Sequence, residues 1–241
     1  MNIQIFPDGR ALAQDLAVRI LGAVARRPTL VLGLPTGRTP RPLYAALRER
    51  SQADRADWSS VRTFNLDEFV GVDPSTAGSY RAYMERELFA AVGVAPSHVG
   101  FLNGRARDLD HECERYERAI ADAGGIDLMI LGIGGNGHIG FNEPAPGLHA
   151  RTHRARLQPG TRAANAALFG GDVAHVPEEA LSMGMATILR ARSVVLMATG
   201  ANKAPAVETM VRGPITTMLP ASFLQLHHDV TVMVDRAASP R

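Results

Sequence analysis

The chain has 241 residues, 46% of them hydrophobic and 21% charged, with a formal net charge of +2 at pH 7. This composition can bury one large core, and α/β folds of this length are routinely single domains, so we expect one domain over residues 1–241. The small net charge and the scattered arginines argue against a nucleic-acid-binding protein.

Two further features predict the compartment. The only cysteine, Cys113, falls in a predicted helix without a partner cysteine or a metal-ligand pattern nearby, which favours a reducing environment. The N-terminal residues lack the basic and apolar regions of a signal peptide, and no apolar run is long enough to span a bilayer. We therefore expect a cytoplasmic protein with no membrane partner.

Apolar runs alternate along the chain with segments of helical periodicity. Such alternation indicates an α/β fold with a doubly wound, mostly parallel sheet flanked by helices, in the Rossmann-like manner. The predicted helices are Ala11–Arg26, Pro40–Arg50, Ser79–Val92 and Asp110–Ala123, and the predicted strands are Thr29–Leu34, Val61–Leu66, Leu128–Ile133, Ser193–Thr199 and Val230–Val234.

Four polar loops follow predicted strands, at residues 35–40, 67–68, 138–143 and 200–203. In doubly wound sheets, ligands bind in the crevice beyond the carboxyl ends of the strands. The convergence of these loops therefore predicts one functional site.

The first loop takes the chain from a strand into a helix and carries Thr36, Gly37, Arg38 and Thr39. Free amide groups, hydroxyls and a guanidinium at the positive end of a helix are suited to an anion. The loop lacks the Gly-Lys-Ser/Thr of a nucleotide P-loop, so the phosphate of a small molecule fits better than a triphosphate. The same residues also fit a capped turn, with Thr39 as N-cap and Pro40 as the first helical residue.

The second loop places two adjacent carboxylates, Asp67 and Glu68, at the end of a strand. Alternation would point one into the cleft and the other away, but parity alone does not say which. A carboxylate near apolar walls can have a raised pKa and abstract a carbon-bound proton. A solvated loop pair fits the sequence equally well.

The third loop contains Gly132-x-Gly134-x-x-Gly137, which by itself matches a dinucleotide fingerprint. Pro144 and Pro146 would break the required helix, however, and no acidic residue lies between Glu143 and Asp172 to bind a ribose. The expected chemistry is instead a proton shuttle at His138, oriented or assisted by Glu143. With a single histidine in the loop, a metal site is not expected.

The fourth loop carries Lys203, which could reach an anion at the same edge of the sheet, although an isolated lysine is more often solvated surface. Further basic residues, at 151, 154 and 156, are interpreted as a solvated face of a loop-rich region rather than as a second phosphate site.

These motifs together resemble the glucosamine-6-phosphate deaminase (isomerase) family. The resemblance rests on Leu34-Pro-Thr-Gly-x-Thr-Pro, Phe64-Asn-Leu-Asp-Glu-Phe, Gly132-x-Gly-x-Asn-Gly-His-Ile-Gly-Phe-Asn-Glu-Pro and Gly200-x-x-Lys-Ala. Four motifs in the same order are highly specific, and the match spans nearly the whole chain.

The resemblance implies conversion of glucosamine 6-phosphate and water to fructose 6-phosphate and ammonia, with no metal or organic cofactor. It implies that Asp67 is the base that moves a proton between C2 and C1, and that His138 opens the sugar ring with the support of Asn136 and Glu143. It also implies that Thr36, Gly37, Arg38, Thr39 and Lys203 bind the phosphate.

Some positions depart from the pattern of that family. Asn136 stands where several members have aspartate, and Ala167 stands where a phosphate-binding arginine is expected. We hypothesise that Arg38, where many members have glycine, supplies the missing guanidinium.

Three alternatives stay open at this point. A 6-phosphogluconolactonase would share the phosphate loop and the glycine-rich His turn, although the stretch that leads to Glu143 favours the deaminase. A galactosamine-6-phosphate isomerase would share nearly all of these residues. A sugar-phosphate-binding regulator without turnover is the third alternative.

The segment after Glu143 lacks the Ser-Ser and Arg-x-Lys patterns of allosterically regulated members, at residues 146–147 and 153–155. We therefore predict hyperbolic steady-state kinetics without activation by N-acetylglucosamine 6-phosphate. A sigmoidal substrate curve that this effector makes hyperbolic would contradict the prediction. Branches without the effector pocket need not share one assembly, so a monomer and a homo-oligomer are both compatible with the sequence.

Overall fold

The computed structural model describes residues 1–240, which form ten strands and eight α-helices. The strands are β1 (Asn2–Phe6), β2 (Val31–Leu34), β3 (Arg62–Asn65), β4 (Asp67–Phe69), β5 (Val99–Gly100), β6 (Leu128–Leu131), β7 (His153–Arg156), β8 (Glu179–Ser182), β9 (Ser193–Ala198) and β10 (Val230–Asp235). The α-helices are α1 (Gly9–Arg26), α2 (Arg41–Asp54), α3 (Tyr80–Met84), α4 (Ala90–Val92), α5 (Leu109–Asp122), α6 (Pro159–Asn165), α7 (Met185–Leu189) and α8 (Ala204–Arg212).

The larger sheet has seven strands in the order β1-β10-β9-β6-β2-β3-β5, and all its pairings are parallel. Its central strands are buried on both faces because helices cover them, which explains near-continuous apolar sequences such as Val31–Leu34. One buried cluster includes α5, α7 and α8, and another includes α1, α2 and the helical segment around α3. The doubly wound α/β fold predicted from the sequence is confirmed.

All five predicted strands are present, with ends that differ by one or two residues. Two strands at the edges of the sheet are not predicted. β1 is largely exposed, and β5 has only two residues, so neither has the continuous apolar run of a buried strand. The predicted helix Ser79–Val92 is continuous but changes character, since a π-helical segment, Glu85–Phe89, joins α3 to α4.

A second, three-stranded antiparallel sheet in the order β4-β8-β7 is likewise not predicted. β7 lies in the basic run that the sequence suggested was part of a loop-rich region. Its two arginines are indeed exposed, but Ala155 between them is buried, so the run is an edge strand with one covered face. From the sequence, β7 is interpreted as a loop because arginines on the exposed face of a short strand give a polar sequence that is also typical of loops.

The two sheets meet at Leu66. Its N–H donates to the carbonyl of Leu34 in the large sheet (3.3 Å), and its carbonyl accepts from the N–H of Met183, directly after β8 (2.8 Å). β4 therefore begins, at Asp67, beside the carboxyl ends of β2 and β3. Among residues 1–240, no helix combines the length and the apolar character that crossing a bilayer would require.

Candidate active site

The four predicted polar loops lie beyond the carboxyl ends of strands in the large sheet, although residues 67–68 are the start of strand β4 and not a loop. β9, β6, β2 and β3 are consecutive neighbours in that sheet, and all are parallel, so the loops that follow them emerge side by side. The structure thus brings the phosphate loop, the paired carboxylates, the His turn and the Lys203 loop together.

Of the two adjacent carboxylates, Glu68 is the one that is fully engaged in hydrogen bonds. The Glu68 carboxylate accepts hydrogen bonds from the N–H groups of Phe69 (2.9 Å), Tyr80 (3.0 Å) and Arg81 (3.0 Å) and from the Ser79 hydroxyl (2.8 Å). These bonds attach β4 to the N-terminus of α3, whose free amide groups favour a negative charge. Glu68 is therefore a structural carboxylate.

Asp67 has the opposite environment. It is only 6% exposed, and no hydrogen bond among residues 1–240 reaches its carboxylate. One of its oxygens would lie 3.7 Å from a Cβ added to Gly140, so it points towards the turn that carries His138. Burial, and then the charge of neighbouring Glu68, raise the pKa of Asp67 to about 8. A carboxylate of this kind can both accept and return a proton near neutral pH.

The glycine-rich turn after β6 serves the packing of His138. A Cβ added to Gly134 would lie 2.4 Å from the His138 ring, and Gly137 has a φ of +85°, which disfavours residues with side chains. The N–H of Gly134 donates to the carbonyl of His138 (2.9 Å), which closes the turn. No helix begins at these glycines, which agrees with the rejection of the dinucleotide reading.

His138 and Glu143 face each other across this turn, with 3.3 Å between Nδ1 of the imidazole and Oε2 of the carboxylate. Asn136 connects to both residues, since its Nδ2 donates to Oε2 of Glu143 (2.9 Å) and its Oδ1 accepts from the backbone N–H of His138 (3.2 Å). The amide at position 136 therefore supports Glu143 as a donor, which an ionised aspartate at the same position could not do.

Glu143 is held in its ionised form. Burial opposes ionisation, but contacts with His138, and then hydrogen bonds from Thr161 and Asn136, outweigh it and lower the pKa of Glu143 to about 2. Thr161 is not among the residues that the sequence predicts. Nothing in its local pattern distinguishes it from an ordinary threonine near the start of a helix.

The predicted phosphate loop, residues 36–39, does not cap α2 through a side chain. α2 begins at Arg41, with Pro40 as an N-cap residue that makes no side-chain capping bond, so the predicted capping role of Thr39 is wrong. The reason is that Pro40 itself occupies the position before the helix. Gly37 adopts a φ of +100°, and its carbonyl accepts from the Tyr83 hydroxyl (2.6 Å), which holds the turn in place.

Two cations approach each other beside this loop. Burial, and then the positive charge of Arg38, lower the pKa of Lys203. Cations that repel one another in a partly buried cleft are stabilised when an anion binds between them. Ala167, at the expected position of another arginine, is exposed in the short 3₁₀ helix Ala166–Phe169. Among residues 1–240, no three His, Cys, Asp or Glu side chains are grouped in a way that could hold a metal ion.

The fold is a Rossmann-like α/β fold, and its candidate site places a buried carboxylate and a histidine–carboxylate pair next to a loop whose composition suits an anion. The profile of the family described as glucosamine-6-phosphate isomerases/6-phosphogluconolactonase matches residues 9–233. The chain belongs to this family.

Individual relatives agree with this assignment. A protein of Streptomyces avermitilis named glucosamine-6-phosphate deaminase is 42% identical over 241 residues, which are 100% of this chain and 92% of the relative. A protein of Rhodopirellula baltica with the same name is 46% identical over 239 residues, which are 99% of this chain and 95% of the relative.

Solved structures give the same result for the fold. One described as a monomeric glucosamine-6-phosphate deaminase is 39% identical and has a TM-score of 0.95, covering 99% of this chain and 98% of its own. A 6-phosphogluconolactonase from Trypanosoma cruzi has a TM-score of 0.77 at 20% identity, covering 98% of this chain and 95% of its own, and shares the fold.

The raised pKa of Asp67 predicts a pH-dependent stability. Because its pKa is about 8 in the folded protein against an ordinary value of 3.8, the folded state holds the proton more tightly than the unfolded chain. The resulting stabilisation is complete below the ordinary pKa and is lost as the pH rises through about 8. The Asp67→Asn side chain stays neutral at every pH. Its free energy of unfolding, relative to that of the wild type, should therefore increase by up to about 1.4 kcal/mol per pH unit between pH 3.8 and about pH 8.

Urea unfolding at pH 5, 7 and 9 would measure this gain. The exposed Asp57, replaced in Asp57→Asn, is the matched control and should follow the wild type across this pH range. Parallel pH dependences of the wild type and Asp67→Asn would show that Asp67 does not titrate in this window.

Proposed function

We propose that this chain is a glucosamine-6-phosphate deaminase that converts glucosamine 6-phosphate and water to fructose 6-phosphate and ammonia. The observation that carries the proposal is the pairing of a buried, weakly solvated Asp67 with the His138–Glu143 pair on the facing turn. The names of the relatives that are 42% and 46% identical over nearly the whole chain support the same activity.

Ring opening needs a group that takes a proton from the anomeric hydroxyl and returns one to the ring oxygen. An imidazole is suited to this exchange because one ring nitrogen can accept a proton while the other donates one, and the ionised Glu143, 3.3 Å from Nδ1 of His138, stabilises the imidazolium that forms. Asn136 keeps Glu143 in place through its donated hydrogen bond. We therefore assign ring opening to these three residues.

Isomerisation then requires a base that takes the proton from C2 and returns a proton to C1, which converts the amine at C2 into an iminium group. Asp67 suits this role because no other residue among 1–240 hydrogen-bonds to its carboxylate and because its pKa of about 8 is close to neutral pH. Water adds to the iminium carbon left at C2, and ammonia departs as the ketose carbonyl forms, so the atoms balance as in the overall reaction.

The phosphate is assigned to the loop of Thr36, Gly37, Arg38 and Thr39, with Lys203 opposite. The hydroxyls of this loop and the mutually repelling cations Arg38 and Lys203 suit this end of the cleft to an anion. Binding energy from such a remote group can orient the reacting carbons at the other end.

A lactonase would not need the buried base at Asp67 or an ionised Glu143 beside the histidine. Solved structures described as 6-phosphogluconolactonases are 18–21% identical to this chain, and they share the fold alone. The 39% identical structure described as monomeric favours a monomer over a homo-oligomer for this chain. We propose amino-sugar catabolism in the cytoplasm as its setting.

The direct test is ammonia release from glucosamine 6-phosphate by the purified protein in EDTA, with galactosamine 6-phosphate and 6-phosphogluconolactone in parallel. We expect release from the first substrate, and a loss of about 10²–10⁴-fold in Asp67→Asn, the contribution typical of a general base. Asp57→Asn is the matched control. Because Asp67 must be ionised to act, kcat/KM should rise with pH up to about 8.

The two parallel substrates distinguish the ways in which the deaminase proposal could fail. Faster ammonia release from galactosamine 6-phosphate would show that the preferred substrate is the other epimer and would leave the proposed reaction type unchanged. Lactone hydrolysis without ammonia from either amino sugar would refute the deaminase and favour the lactonase. No turnover of any of the three would favour a regulator.

The compensating role of Arg38 has its own test. In Arg38→Ala, the KM for glucosamine 6-phosphate should rise by about tenfold or more, as expected for the loss of a hydrogen bond to a charged group, with a smaller change in kcat. Arg190→Ala is the matched control, because Arg190 is exposed just before the N-terminal end of β9, whereas the candidate site lies beyond the carboxyl ends of the strands. An unchanged KM in Arg38→Ala would rule out the compensation.

A further inference from the structure

Thr161 is a buried residue of α6 that contacts the ring-opening group. It is 6% exposed, and its hydroxyl donates a hydrogen bond to Oε1 of Glu143, whose side chain is 8% exposed. The two residues are 18 positions apart in the chain, so their contact depends on how α6 packs over the His turn.

The two oxygens of Glu143 have different partners. Oε2 accepts from Asn136 (2.9 Å) and faces His138 (3.3 Å), whereas Oε1 accepts from Thr161. The terminal torsion of a glutamate side chain is soft, so hydrogen bonds decide the orientation of the carboxylate. Thr161 donates to Oε1, which receives no hydrogen bond from the His turn. This bond fixes the carboxylate so that Oε2 faces His138.

α6 is itself held by contacts of Arg162, in its middle, and of Asn165, its last residue. The Asn165 side chain donates to the carbonyl of Thr161 (2.9 Å) and accepts from the Tyr80 hydroxyl (2.9 Å). The Arg162 guanidinium donates to the carbonyl of Val176 (2.9 Å). Tyr80 also donates its N–H to Glu68, next to Asp67, and its hydroxyl lies close to the Thr36 side chain. The position of the Thr161 hydroxyl is therefore set by the same elements that hold the base and the phosphate loop.

We propose that Thr161 is a positioning residue that orients the Glu143 carboxylate towards His138 during ring opening. It does not face the reacting carbons itself, and it acts through Glu143. Its kinetic consequence rests on the proposed deaminase function, whereas its effect on the His138–Glu143 pair does not.

Thr161→Val removes the hydroxyl and keeps the shape of the side chain, and Thr161→Ser keeps the hydroxyl. The matched control is Thr187→Val, since the Thr187 hydroxyl also donates to a buried carboxylate, that of Glu117, outside the site. Thermal unfolding of all three variants would show how much each substitution costs in stability.

The first measurement does not depend on activity. The 15N chemical shifts of the His138 imidazole, assigned with His138→Gln and recorded at one fixed pH, should change in Thr161→Val, because a carboxylate free to rotate no longer keeps Oε2 next to Nδ1. Thr161→Ser and Thr187→Val should keep the wild-type shifts. Unchanged His138 shifts in Thr161→Val would overturn the proposal, whatever the change in thermal stability.

The second measurement is steady-state ammonia release across pH. In Thr161→Val we expect kcat to fall by about ten- to a hundredfold, the value of a hydrogen bond to a charged group, with KM within about twofold. Thr161→Ser should recover most of the loss, and Thr187→Val should keep the wild-type kcat. A loss shared equally by Thr161→Val and Thr187→Val would indicate a general structural effect and overturn the proposal. If the wild type releases no ammonia, the deaminase function fails, and the His138 15N chemical shifts still decide the role of Thr161.

Discussion

The structure depends on the point at which the chain leaves the large sheet and enters the small one. The backbone of Leu66 bonds to β2 on one side and to the end of β8 on the other, so its N–H and carbonyl join two sheets. The next two side chains then point apart. Glu68 accepts four hydrogen bonds, three of them from residues 79–81 at the start of α3, whereas no hydrogen bond among residues 1–240 reaches the Asp67 carboxylate in the cleft. The position of the candidate base follows from this junction.

Two carboxylates of the site have pKa values displaced in opposite directions by the same physical principles. Asp67 is buried beside another carboxylate, so its pKa rises to about 8. Glu143 is also partly buried, but it receives hydrogen bonds from Asn136 and Thr161 and faces His138, so its pKa falls to about 2. Environments that separate the pKa values of two acids allow one to exchange a proton while the other stays charged.

Much of the fold could be predicted because its buried strands are continuous apolar runs and its long helices are amphipathic. The small sheet could not, because β4 has three residues and β7 exposes two arginines, and neither shows the alternation of a longer strand. The candidate site residues were predicted from polar motifs that follow strands, and the parallel order of β9, β6, β2 and β3 brings their loops together.

The sequence by itself determined the fold class, the family and the set of polar loops, since periodicity and motif spacing are local properties of the chain. Only the tertiary structure decided that Glu68 is structural, that Pro40 rather than Thr39 precedes α2, and that Thr161 reaches Glu143. These outcomes depend on contacts between residues far apart in the chain and on the direction of single side chains. Local sequence patterns carry no information about either.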